Sequence, residues 1–288
     1  MTSMWSLLPI DGKDYIHKFK MDYKILVLDL DGTLTNSQKK ITRKTKDALL
    51  KAQEQGIKVA LASGRPTYGI VPLANELRLD TFGGYILSYN GGEIIDWRSK
   101  EILYKKMLDP VVLPYLYRCA KENDFAILTY DHEFILTEKP DDIYVHKEAF
   151  LNKMQIKGVQ NFLAAVTFPI AKCLIVGESN ALERLESKMY EQLKDTMGVY
   201  RSEPFFLELV PKGIDKAQSL SVLLEKIGMK REEMIACGDG FNDLSMIRFA
   251  GLGVAMSNAQ ESVKENADFI TLSNEEDGVA HVIEQFIF

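Results

Sequence analysis

From Met21 onward, short apolar runs alternate with amphipathic helical stretches, and the alternation is broken once, between Trp97 and Glu203, before it resumes. That pattern narrows the possible folds sharply. Strands joined by helix-length connections pair in parallel, because a parallel neighbour is reached only by a crossover. Lys24 to Leu30 reads as a buried strand of Ile, Leu and Val. Thr42 to Gln55 reads as a helix, with Thr42 at its N-cap, one face of Ile41, Thr45, Ala48, Leu49 and Ala52, and Gly56 to end it. Ile57 to Ala62 is the next strand, Pro66 opens a further helix, and Asn90-Gly91-Gly92 marks a turn between the strands Tyr85 to Ser88 and Glu93 to Asp96.

The interruption has a different texture. Strand candidates (Ile102 to Met107, Phe125 to Thr129, Phe134 to Thr137, Ala171 to Val176, Val199 to Arg201) come in pairs between the helix candidates Asp109 to Lys121, Asp141 to Leu151 and Asn180 to Lys194. This predicts an α+β insert with an antiparallel sheet. After Phe205 the alternation returns: helix from Asp215 to Ile227, strand from Met234 to Cys237, helix from Asn242 to Phe249, strand from Leu252 to Met256, and a last helix capped by Asn274. The fold class expected is therefore α/β, with a Rossmann-like parallel-sheet core at residues 21–96 and 204–288 and an inserted α+β cap at 97–203. Residues 1–20 have no period and no basic-then-apolar leader, and are expected to be a tail.

Composition excludes several function classes. A formal net charge of −6 with Lys and Arg interspersed does not suit a nucleic-acid binder. No apolar run reaches the ~20 residues that span a bilayer. The three cysteines, Cys119, Cys173 and Cys237, have no CxxC spacing, which points to buried thiols and a reducing cytoplasm rather than a disulfide framework or a zinc site.

The residues that carry chemistry sit where strands run out, which is where open α/β sheets bind ligands. Asp29-Leu30-Asp31-Gly32-Thr33 ends the first strand. If the strand persists, Asp29 and Asp31 project to one face; two carboxylates so close need a cation between them or a proton on one. Gly238-Asp239-Gly240-Phe241-Asn242-Asp243 ends another strand and opens a helix. Its aspartates bring the carboxylates at strand ends to four, a hard-oxygen set that suits Mg²⁺; a plain helix cap by Asp239 or Asn242 accounts for the same residues. Ser63-Gly64-Arg65 offers a hydroxyl and a glycine amide for an anion, and is also an ordinary turn. Lys216 opens a helix, an end whose dipole disfavours cations. A residue that breaks a local preference is a candidate for function.

Taken in order, DLDGT, SGR, the lysine of GIDK and GDGFND resemble the four motifs of the haloacid-dehalogenase-like phosphatases, and an insert between the second and third resembles the large α/β cap of the Cof-type subfamily. Gly92 and Ser257 stand where that pattern leads one to expect Ala and Gly. The resemblance implies a phosphatase acting on small phosphorylated metabolites, sugar phosphates first. It implies Asp29 as nucleophile and Asp31 as proton donor and acceptor. Mg²⁺ would be held by Asp29, the Asp31 carbonyl and Asp239, with Asp243 in support. Ser63, Gly64, Lys216 and Asn242 would hold phosphoryl oxygens. Two competing readings are a phosphomutase-type phosphotransferase, which would return the phosphoryl group to a second hydroxyl, and a non-enzymatic receiver-like module, which Asp31 disfavours because it would hasten loss of the label.

Overall fold

The computed structural model describes residues 22–288; the expected tail at 1–20 lies outside them. Strands β1 (Ile25–Leu28), β2 (Lys58–Ala62), β3 (Tyr85–Ser88), β4 (Glu93–Asp96) and β5 (Ile102–Lys105) belong to one sheet. Strands β6 (Ala126–Asp131), β7 (Phe134–Thr137), β8 (Gln155–Gly158), β9 (Cys173–Val176), β10 (Met197–Glu203) and β11 (Phe206–Pro211) form a second. The chain then returns to the first with β12 (Met234–Gly238), β13 (Leu252–Ala255) and β14 (Phe269–Ile270). The first sheet runs in the order β14-β13-β12-β1-β2-β3-β4-β5. Its pairings are parallel from β14 to β3 and antiparallel across β3–β4 and β4–β5.

Helices cover both faces, so the central strands are apolar throughout rather than alternating. Leu26, Leu28, Val59, Leu61, Ile235 and Cys237 pack into one layer; Ile25, Val27, Ala60, Ala62, Met234 and Ala236 pack into the other. The helix Arg43–Glu54 lies on the first of these faces, burying Thr45, Leu49 and Ala52 at helical spacing. Thr42 caps it by accepting the Thr45 amide at 3.2 Å.

The second sheet has the order β10-β11-β9-β6-β7-β8 and is antiparallel except for β7–β8, which is parallel. One face packs under the helices Leu113–Glu122 and Ser179–Leu193. The other carries Ala126, Leu128, Leu174 and Val176, the helix Ile143–Asn152, and Tyr89 reaching over from the first sheet's side.

Several local expectations differ from what forms. The first strand stops at Leu28, two residues before the expected end. The final helix, Gly278–Phe286, starts from Asp277 in the left-handed region, φ +61°, while Asn274 opens a separate 3-10 turn. β5 lies in the first sheet and β11 in the second, so the sheets exchange at residues 106–125 and 212–233, beyond the expected 97 and 203.

Candidate active site

Leu28 pairs with Leu61 on one side and Cys237 on the other, which sets the carboxyl ends of β1, β2 and β12 level. Asp29 is the next residue of the chain and is 6% exposed. Its amide donates to the Cys237 carbonyl at 3.0 Å. The strand then breaks. Gly32 turns with φ +84°, and a Cβ there would stand 2.3 Å from Asp239 Oδ2, so both the turn and the approach of Asp239 require glycine.

The strand ends at Leu28, before either aspartate, and the two carboxylates take different partners. Asp31 turns to Arg65, which donates from Nε to Oδ2 at 2.7 Å and from Nη2 to Oδ1 at 2.6 Å, while Lys39 Nζ donates to Oδ1 at 2.7 Å. Burial works to raise the Asp31 pKa, but the hydrogen bonds and charges of Arg65 and Lys39 outweigh it and hold the carboxyl below its usual range.

Asp29 turns instead to Lys216. That ammonium has no exposure and spends its three protons on Asp29 Oδ1 (2.6 Å), Asp243 Oδ1 (2.5 Å) and the Ala62 carbonyl (2.8 Å). Burial disfavours the charge; Asp243 and Asp29 more than restore it and keep the lysine pKa above its ordinary value. The helix that carries Lys216 is capped by Asp215, which accepts the Gln218 amide at 2.9 Å. Asp243 Oδ2 in turn accepts the amides of Asp239 (3.0 Å) and Gly240 (2.9 Å), and Thr33 Oγ1 donates to Asp239 Oδ1 at 2.8 Å.

Asp29, Asp239 and Asp243 each offer one oxygen, and these oxygens lie within 4.8 Å of one another. Against three carboxylates stands one ammonium. Burial and then the neighbouring Asp243 push the Asp29 carboxyl well above its usual range; burial, with Asp243 adding to it, pushes Asp239 up to about 6. An all-oxygen, under-neutralised donor set at the ends of two strands fits a hard divalent cation. The Asp31 carboxylate is not in this cluster.

The remaining expected groups surround it. Ser63 is buried, its amide donating to the Leu87 carbonyl at 2.9 Å and its hydroxyl accepting the Arg65 amide at 3.2 Å. Asn242 is exposed and donates to Asn90 Oδ1 at 3.2 Å. Sequence reasoning did not single out Lys39, Arg65, Thr33 or Asn90 for roles of their own. Three of these lie inside motifs already noted. Lys39 lies eight residues past Asp31, on a turn that it closes at φ +58°, and nothing in its local sequence marks it.

The family described as haloacid dehalogenase-like hydrolases matches residues 26–283. A haloacid dehalogenase-like hydrolase from Bacteroides thetaiotaomicron, known by crystal structure, superimposes with a TM-score of 0.90 at 63% identity, covering 92% of this chain and 100% of its own. The phosphatase YwpJ of Bacillus subtilis is 31% identical over 92% of this chain and 100% of its own length. The sugar phosphatase BT4131, of HAD subclass IIB, aligns with a TM-score of 0.78 at 25% identity over 91% and 98% of the two chains.

Proposed function

Since the chain belongs to the haloacid dehalogenase-like hydrolases and is a phosphatase of that family, with the subclass IIB type of cap, we propose that it is Mg²⁺-dependent and hydrolyses sugar phosphates through an aspartyl-phosphate on Asp29. The observation that carries this reading is the convergence of Asp29, Asp239 and Asp243 on one point with Lys216 beneath them. The sugar-phosphate class draws its support from the likeness to BT4131.

Lys216 occupies Asp29 Oδ1, which leaves Oδ2 as the atom that attacks phosphorus. The P–O bond to the leaving group breaks as the P–O bond to Asp29 forms, and Asp31 gives its proton to the leaving oxygen. Water then attacks the same phosphorus, Asp31 takes back a proton, and Asp29 leaves as a carboxylate with release of orthophosphate. The ion-paired Asp31 carboxylate is the form suited to that second step; to act in the first it must leave Arg65 and Lys39 and take up a proton. Ser63, the Gly64 amide, Lys216 and Asn242 orient the phosphoryl oxygens. Asp29, the Asp31 carbonyl and Asp239, with Asp243 in support, would hold Mg²⁺, which would supply the charge neutralisation that lets a carboxylate meet a phosphate dianion. The unit built on the six-stranded sheet acts as the cap over this site.

Phosphate release from a panel of phosphorylated metabolites tests the reading. Hexose and pentose phosphates should be turned over with Mg²⁺ and not after chelation. Undiminished release in chelator, or a preference for phosphorylated acids or nucleotides over sugars, would refute the metal or the substrate class respectively.

A further inference from the structure

We propose that Lys172, the residue just before β9 of the second sheet, is a positioning residue for Ser63 and acts through the peptide that joins Gly64 to Arg65; the proposal rests on the reading of Ser63 as a donor to the phosphoryl group. The three carbonyls of Ser63-Gly64-Arg65 are held from different sides. Ser63 O accepts the Asn90 amide at 2.8 Å and Arg65 O accepts the Tyr89 amide at 3.0 Å, both from the loop after β3. Gly64 O is held from the other sheet, by Lys172 Nζ at 3.2 Å. A peptide unit is planar, so fixing the Gly64 carbonyl also fixes the Arg65 N–H on its far edge. That N–H donates to Ser63 Oγ at 3.2 Å. The ammonium thus reaches the serine hydroxyl through one rigid plane and one hydrogen bond.

Lys172 is built for a fixed position. It is 3% exposed, its Nζ lies 2.9 Å from Glu208 Oε2, and it stands 5.4 Å from the centre of the Tyr130 ring. Its own carbonyl accepts Thr129 Oγ1 at 2.8 Å, and Ser202 Oγ holds Glu208 Oε1 at 2.9 Å. A buried ion pair of this kind is seldom more stabilising than two apolar side chains of the same volume. Stability of the second sheet therefore does not account for it, whereas the third direction of the ammonium, aimed across at Gly64, does. Two neighbouring contacts set the sheet on the core at the same place. Tyr200 OH accepts Asn90 Nδ2 at 3.1 Å, and Asn152 Oδ1 occupies the space where a Cβ on Gly69 would lie, 2.6 Å away. Seating the cap and orienting Ser63 are then one event, and the phosphate cradle is complete only when the cap is down.

A double-mutant cycle reads this directly. Lys172→Met is made together with Glu208→Gln, so that the carboxylate paired with it at 2.9 Å is not left buried and unpaired, and is combined with Ser63→Ala. If Lys172 acts through Ser63, each arm lowers kcat/KM on a sugar phosphate by about tenfold or more, and the combination falls no further than the worse arm, because contacting residues in one network are not additive. Orthophosphate should also inhibit the Lys172 variant more weakly than the wild type. Multiplicative losses, or a lowered melting temperature with kcat/KM and phosphate inhibition unchanged, would overturn the proposal. Should the Met/Gln pair fail to fold, Lys172→Arg, which keeps the charge and displaces the donor, goes through the same cycle with the same criteria. A wild type that releases no phosphate, or a Ser63→Ala variant with full activity, would instead overturn the underlying reading of the site.

Discussion

At the scale of single residues, the two aspartates of the first motif have separate surroundings, and their chemistry follows. Asp29 lies among carboxylates with one lysine; Asp31 lies in the fork of Arg65 with Lys39 behind it. On the mechanism proposed above, Asp29→Asn removes the nucleophile and should abolish both turnover and phosphoenzyme. Asp31→Asn keeps the nucleophile and loses the proton. A sugar alkoxide needs that proton to depart, so turnover of sugar phosphates should fall by roughly 10²–10⁴-fold. Nitrophenolate leaves without it, so the aryl phosphate should lose far less in the first step. Hydrolysis of the intermediate also lacks its base, and a burst of nitrophenol with trapped phosphoenzyme should appear. Rapid-quench kinetics on both variants distinguishes them; a burst from Asp29→Asn, or equal defects on the two substrates, would reverse the assignment.

At the scale of elements, strand ends deliver the groups proposed to be catalytic, and one charged cluster inside the second sheet shows how a buried strand can hold polar side chains. Glu148, on the helix Ile143–Asn152, accepts from Tyr130 OH at 2.6 Å and Asn152 Nδ2 at 2.8 Å, with Lys172 and Glu208 as its charged neighbours. Burial raises its pKa; Lys172 and the Tyr130 hydrogen bond oppose the rise without cancelling it, and Glu208 adds to it. A carboxyl whose folded pKa is raised binds more protons folded than unfolded, so its contribution to stability is present below the ordinary value of 4.5 and is lost as pH climbs through the raised one. Glu148→Gln keeps an acceptor for Tyr130 and cannot ionise. Urea melts at a series of pH values from 4.5 to 7 should therefore show the variant gaining on the wild type as pH rises. A constant difference between the two would mean that Glu148 does not titrate in this range. The same cluster shows why some elements escaped the sequence reading. Phe206–Pro211 carries Glu208 amid apolar residues, which spoils both the apolar run and the alternation, yet all six residues are buried. Gln155–Gly158 is an exposed edge strand with a single partner, β7, and has no apolar pattern to show.

At the scale of the whole molecule, the core sheet gathers three carboxylates and one ammonium from segments more than 180 residues apart, and their imbalance costs stability when no cation is present. Mg²⁺ should therefore raise the melting temperature, since a ligand at a hundred times its Kd adds about 2.7 kcal/mol. Asp239→Asn should melt higher than the wild type in chelator, because one of the crowded charges is gone, and should respond less to Mg²⁺. Equal thermal shifts in the two proteins would place the cation elsewhere. The sequence alone determined the parallel core, the interrupting insert and the motif residues, because periodicity and turn chemistry are local properties and strand-end motifs are contiguous. It determined that Lys216 was out of place at a helix start. It could not determine what that lysine touches, that Asp31 pairs with Arg65, or that Lys172 reaches Gly64. Those pairings join residues distant in the chain, and they depend on where the strand breaks after Leu28 and on how one sheet is seated against the other; only the packed tertiary structure fixes either.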